Sequence, residues 1–204
     1  MKVVFASGNA GKVREVSQML APLAWEVVPQ TALFSGEAEE TGLTFVENAL
    51  IKARFACEKT GLPAIGDDSG LEVAALEGAP GIYSSRFAGP DATDSSNIDK
   101  LLDALRDVPE GKRQASFYCA MVFLRHAEDP TPVIALGRWN GEILTAPRGD
   151  QGFGYDPVFF VPEKGCSAAE LAPEEKHRLS HRAQALYQLV DEIQRLQAQG
   201  LLTT

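Results

Sequence analysis

The sequence predicts an α/β fold, a mixed β-sheet flanked by helices. Three observations carry this reading. A β-branched apolar run at residues 2–6 is followed by a glycine turn and a helical repeat. Strand-like and helical segments then alternate as far as Pro109. Beyond it, residues 113–125 and 133–145 are both strand-like, with no helix between them. Alternation favours parallel neighbours and successive strands favour antiparallel ones, so one sheet should contain both.

Each element has its own signal. Val13, Val16, Met19 and Leu20 repeat at helical spacing behind the turn Gly8-Asn9-Ala10-Gly11. Thr44 and Glu47 stand in the relation of a capping box. After them Val46, Ala49, Leu50, Ala53, Ala56 and Cys57 form an apolar stripe that Gly61 stops, and Asn48 and Lys52 share the helix's other flank. Residues 62–73, LPAIGDDSGLEV, read as two short strands interrupted near Asp67 to Gly70. Residues 93–109 read as a helix capped by an Asp or Ser, with Pro109 beyond its end. Asn140-Gly141 is a strong hairpin signal within the later strand region. Pro173, Glu174 and Glu175 make a helix start, and Leu186, Leu189, Val190, Ile193 and Leu196 mark a final amphipathic helix.

The totals bound the function. At 204 residues one domain is expected, and a two-lobed arrangement also fits. With 45% apolar and 23% charged residues and no bilayer-length apolar run, no membrane partner is expected. Too few apolar residues precede Ser7 for a secretory signal, so the expected location is cytoplasmic. A net charge of −9 opposes adhesion to DNA or RNA, so no nucleic acid polymer is expected as partner, while a small anion held by local cations and a metal remains open. Cys57, Cys119 and Cys166 are too far apart for a zinc knuckle or redox pair and read as buried free thiols.

Four places could carry chemistry. The stretch FASGNAGKVRE fails the P-loop spacing, because two residues separate Gly8 from Gly11 and Val13 follows Lys12; it fails the dinucleotide fingerprint as well. Backbone N–H groups at a helix start, with Lys12 and the Asn9 amide, still suit a phosphate, and a plain glycine turn is the competing reading. GEAEETG and GDDSG supply hard carboxylate ligands of the kind Mg²⁺ requires, although an acidic surface turn explains either alone. Asp67 and Asp68, adjacent on extended backbone, should point to opposite faces. QGFGYDP alternates glycine and aromatics, which suits stacking on a base or merely covering the core. EEKHRLSHR gathers Lys176, His177, Arg178, His181 and Arg182, with Ser180 placed to cap the last helix. Basic residues at a helix start call for something to compensate them.

With those motifs in order, the chain resembles the inosine triphosphate pyrophosphatase family over nearly its whole length. SGNAGK, EETGLTFVENALIKA, DDSGLEV, GAPGIYSSRFAG, QGFGYDP and EEKHRLSHR carry the resemblance; Gln151 stands where a glycine is usual, and His177-Arg178 fill a variable spacer. The resemblance implies an elongated mixed sheet forming two lobes around a central cleft, a homodimer, and Mg²⁺-dependent cleavage of ITP, dITP and XTP to the monophosphate and pyrophosphate. It implies that Ser7, Gly8, Asn9, Ala10, Gly11, Lys12 and Lys52 bind the triphosphate of a purine nucleotide. Asp68 would be the proton acceptor and, with Glu40, the metal ligand; Ser69, Phe153, Gly154, Tyr155, Asp156, Lys176, His181 and Arg182 would complete the nucleotide site. A pyrophosphatase acting on other modified nucleotides, such as methylated pyrimidines, is the competing reading. A binding module without hydrolysis is opposed by the intact Asp68, Glu40 and Lys52, and an oxidoreductase or kinase by the failed spacings.

Overall fold

A computed structural model describes residues 1–202. Its strands are β1 (Lys2–Phe5), β2 (Glu26–Pro29), β3 (Ala64–Val73), β4 (Gln114–Leu124), β5 (Val133–Ile143), β6 (Phe159–Val161) and β7 (Cys166–Ser167). Its helices are α1 (Ala10–Leu20), α2 (Phe45–Thr60), α3 (Asp94–Ala104), α4 (Pro173–Leu179) and α5 (His181–Ala198). The strands form one open sheet in the order β2-β1-β3-β4-β5-β6-β7. β1 runs parallel to β2 and β3, whereas β6 is antiparallel to β5 and β7, so the sheet is mixed as expected. Among the described residues no helix is long and apolar enough to cross a membrane.

The chain divides into two compact units. The first comprises Met1–Asp68, Cys119–Gly137 and the residues from Gln184 onward; the second comprises Ser69–Tyr118 and Arg138–Ala183. Each has its own core. In the first, Phe5, Ile65, Met121 and Phe123 of the sheet pack with Val16 and Leu20 of α1 and Leu186, Leu189 and Ile193 of α5. In the second, Leu101 and Leu105 pack with Leu71, Phe117, Trp139 and Phe159. Burying each such side chain is worth about 1.5–3 kcal/mol, which is why the apolar spacings seen in the sequence locate the helices well.

Local capping follows the sequence with some changes. Thr44 caps α2 by accepting the Glu47 N–H, and Glu47 reaches back to the Leu43 N–H and the Thr44 hydroxyl. Gly61 ends that helix at φ 68°. α3 is capped by Thr93, in a capping box with Ser96, and not by an Asp or Ser. The end of α3 is held by the buried Arg113 guanidinium, which donates to the carbonyls of Leu105, Val108 and Leu144 and places positive charge at the negative pole of the helix.

Three expectations are corrected. β3 is one continuous strand, not two, and Asp67 and Asp68 lie within it as buried residues, so they are not a solvated turn. Asn140-Gly141 does not turn the chain; both lie inside β5. There the Asn140 side chain accepts from the Ser116 hydroxyl, and a Cβ on Gly141 would come within 2.4 Å of the Phe160 carbonyl, so the glycine serves strand packing. Cys57 and Cys119 are buried thiols outside any disulfide, with the Cys119 sulfur 3.9 Å from Asp67 Oδ2, but Cys166 is only half-buried. Burial pushes the Cys57 thiol up to about 11, which keeps it protonated and inert.

Two features generate tests. Gly66 of β3 lies directly on the backbone of α2, where an added Cβ would fall 2.1 Å from the Ala49 carbonyl oxygen and 2.8 Å from the Ala53 nitrogen. Gly66→Ala therefore has to part the strand from the helix, and we expect a loss of about 1–3 kcal/mol in denaturant unfolding. Between β4 and β5, the buried Asp129 carboxylate accepts from the Arg125 backbone N–H and Nε and from the Thr131 N–H. The Arg125 side chain, helped by these backbone donors, holds Asp129 well below the usual carboxylate range against the opposing effect of burial. A depressed folded-state value means the stabilisation is complete above the unfolded value of about 3.9 and is lost as pH falls toward the folded one. Asp129→Asn should cost about 1–2 kcal/mol at pH 7. Its deficit relative to wild type should shrink at pH 3.

Candidate active site

In the first unit the chain leaves β1 through the exposed residues Gly8, Asn9 and Ala10. Asn9 donates its N–H to the Ser7 hydroxyl, and its side-chain oxygen accepts from the Gly11 and Lys12 N–H groups, capping α1. The expected phosphate turn is thus a helix start whose first donors are engaged by Asn9 itself. Gly8 packs on Thr31, whose methyl lies 2.7 Å from where a Cβ would be. Lys12, in the first turn of α1, extends to Asp67 with Nζ 2.8 Å from Oδ1.

Because consecutive strand residues face opposite ways, the neighbouring carboxylate meets a different lysine. Lys52 of α2 places its ammonium 2.7 Å from Asp68 Oδ1, 2.6 Å from Glu40 Oε1 and 3.2 Å from the Asp67 carbonyl. Burial works against charge on Lys52, but Asp68, Glu40 and Asp67 outweigh it and hold the ammonium above the ordinary lysine value. Asp68 is raised as well, but for a different reason: burial raises its proton affinity, Lys52 opposes that, and Glu40 and Asp67 add to it. Its second oxygen, Oδ2, is buried and has no hydrogen-bond partner. Among the described residues no group of three or more His, Cys, Asp or Glu side chains converges as a metal cluster; Glu40 and Asp68 are two carboxylates that meet on one ammonium.

The remaining residues singled out in the sequence lie in the second unit. Ser180 accepts the Ala183 N–H and caps α5, which sets His181 and Arg182 in the first turn. Arg182 donates to the Ser69 hydroxyl at 3.2 Å, and the His181 ring stacks on Phe117 with centroids 5.0 Å apart. The loop around Phe153 uses Gly152 at φ 81° and Gly154 at φ 59°. Phe153 is 60% exposed at its tip. Asp156, nearly fully buried, accepts the Phe153 N–H at 2.8 Å and pairs with Lys176 of α4, whose ammonium lies 4.9 Å from the Phe153 ring centre. The Tyr155 side chain points into the core and donates to the Ser84 carbonyl.

Three residues went unassigned in the sequence. Asp67, the partner of Lys12, was visible only as half of an acidic pair. Asp94 accepts the Gly154 N–H at 2.7 Å from 60 residues away in sequence, and nothing local signals that. Asn48 is completely buried, although its place opposite the apolar stripe suited an open flank.

A family model described as the Ham1 family matches residues 3–192. A dITP/XTP pyrophosphatase of Idiomarina loihiensis is 61% identical over 195 residues, covering 94% of this chain and 96% of that protein. One from Escherichia coli O157:H7 is 60% identical over 190 residues, with 93% and 96% covered. Among solved structures, a HAM1 protein from Coxiella burnetii matches with a TM-score of 0.92 and 49% identity over 96% of this chain and 99% of its own. The Staphylococcus aureus Ham1 protein matches with a TM-score of 0.87 and 37% identity, with the same coverage. With a family match across most of its length and relatives this similar, the chain belongs to the Ham1 family.

Proposed function

We propose that this protein is a Mg²⁺-dependent nucleoside triphosphate pyrophosphohydrolase that converts ITP, dITP and XTP to the monophosphate and pyrophosphate, clearing non-standard purines from the nucleotide pool. On this reading it works in the cytoplasm as a homodimer, and one domain with two lobes does the work. The observation that carries it is the Asp68 carboxylate, with Oδ1 fixed by Lys52 and Oδ2 buried without a partner. An oxygen committed to no protein donor is what a general base needs. The relatives named dITP/XTP pyrophosphatase support the substrate class.

The donor chemistry fits a divalent ion. Two carboxylates, Glu40 and Asp68, share a single ammonium, Lys52, so this pair keeps an excess of negative charge before any polyphosphate arrives. Mg²⁺ prefers hard oxygen ligands, keeps several of its waters and needs only one or two carboxylates, which Glu40 and Asp68 would provide. Bound there, it would withdraw charge from the phosphate oxygens.

The residues of the chain do the rest. Asp68 Oδ2 takes a proton from water as the water oxygen bonds to phosphorus, and the bond from that phosphorus to the departing pyrophosphate oxygen breaks with its electron pair. The proton stays on Asp68 until solvent removes it. Lys52 keeps Asp68 aimed through Oδ1, while Lys12 supplies positive charge beside Ser7, Gly8, Asn9, Ala10 and Gly11, which address the triphosphate. For the base, the exposed Phe153 ring offers a stacking face, and Gly154, Tyr155, Asp156 and Lys176 hold its loop. His181 and Arg182, with Ser69, are donors or donor-linked groups suited to the oxygen that hypoxanthine and xanthine carry at position 6, where adenine carries an amino group. A buried donor left facing that amino group costs about 1–3 kcal/mol, a rate difference of roughly 5-fold to 160-fold.

Incubation with ITP, XTP, GTP, ATP and a methylated pyrimidine triphosphate, with and without Mg²⁺, tests this directly. Pyrophosphate should appear as the first phosphate product, ITP and XTP should turn over about tenfold or more faster than ATP, and omitting Mg²⁺ should stop the reaction. Orthophosphate as first product, equal rates on ATP and ITP, or a preference for the modified pyrimidine would contradict it.

A further inference from the structure

Glu40 lies in a stretch, residues 34–42, that has neither helix nor strand. A carboxylate on such a segment stays at a fixed point only if the backbone is tied down close to it. The Thr41 N–H makes only a local bond, to the Glu39 carbonyl. The first tie to a rigid element comes one residue later: Gly42 donates its N–H to Asn48 Oδ1 at 2.9 Å. Asn48 is fully buried on α2, one turn before Lys52, the residue that receives the Glu40 carboxylate.

Two further observations show that this tie is specific. Gly42 sits so close to α2 that a Cβ would lie 2.6 Å from Glu47 Cβ and 2.7 Å from Asn48 Oδ1. The opposite end of the same carboxamide, Nδ2, is buried and has no hydrogen-bond partner. The orientation of the amide is fixed by chemistry, because an N–H donor faces it and only the oxygen can accept. A buried amide with an unsatisfied donor is a poor choice for packing alone, since an apolar side chain of similar size would avoid that cost. Its satisfied end is the one that anchors the Glu40 segment.

We propose that Asn48 is a positioning residue: it sets the Glu40 carboxylate against Lys52 and Asp68, and through Glu40 it tunes the affinity of the divalent-cation site. This rests on the Mg²⁺-dependent reading above. The test compares wild type, Asn48→Ala, Glu40→Gln and the double variant by two readouts: Mn²⁺ affinity from electron paramagnetic resonance without nucleotide, and the metal concentration giving half-maximal turnover of ITP. Asn48→Ala should weaken both by about tenfold or more, as loss of a group that orients a ligand does. If Asn48 acts through Glu40, the double variant should be no worse than Glu40→Gln beyond about twofold. Gly42→Ala, which displaces the same segment by steric clash and leaves Asn48 in place, should reproduce the metal phenotype and carries the test if Asn48→Ala does not fold. A metal-dependent wild type whose folded variants at positions 42 and 48 keep its Mn²⁺ affinity, or losses that add in the double variant, would overturn this inference alone. A wild type indifferent to divalent cations would remove the metal reading and this inference with it.

Discussion

The closeness of β3 to α2 is the constraint on which the acidic cluster depends. At Gly66 the strand backbone lies against the Ala49 carbonyl, leaving no room for even a methyl group. The next two residues are Asp67 and Asp68, and Lys52 is on the helix that Gly66 touches. A larger residue at 66 would lift the strand and lengthen the 2.7 Å contact between Lys52 and Asp68. A packing contact between backbones thus sets an electrostatic distance.

The alternation of strand side chains then separates two tasks. Asp67 goes to Lys12 and Asp68 goes to Lys52, so adjacent carboxylates are each neutralised by a lysine from a different helix. Buried charges of this kind are tolerated only when paired, and breaking one pair exposes the other charge to the full cost of burial. The arrangement leaves one oxygen, Asp68 Oδ2, without a protein partner. In the second unit similar economy holds the aromatic loop: Asp156 serves both the Phe153 N–H and Lys176, and Asp94 takes the Gly154 N–H, so an exposed ring stands on a backbone fixed at two points.

The sequence made the regular elements legible wherever local chemistry and packing agree. The stripe on α2, its Thr44 cap and Gly61 stop, and the apolar repeat of α5 needed no knowledge of distant residues. It misled where long-range contacts override local preference. Gly-Asp-Asp-Ser-Gly has the composition of a turn, yet it is the middle of a strand, because Lys12 and Lys52 arrive from 55 and 16 residues away to neutralise its aspartates. Asn140-Gly141 has hairpin chemistry, but the Phe160 carbonyl pressing on Gly141 keeps it in β5. Glu40, Lys52 and Asp68 were named from motif order; that one ammonium bridges both carboxylates was not readable, nor was the burial of Asn48.

On the proposed mechanism Asp68, and not its neighbour Asp67, takes the proton during turnover. Its most direct test is the turnover of Asp68→Asn on ITP, with nucleotide affinity measured in parallel and folding checked by thermal unfolding. The variant should fold, bind nucleotide within about tenfold of wild type and lose about a thousandfold in turnover. A folded variant that retains turnover, or one that loses activity only because it no longer folds, would contradict it.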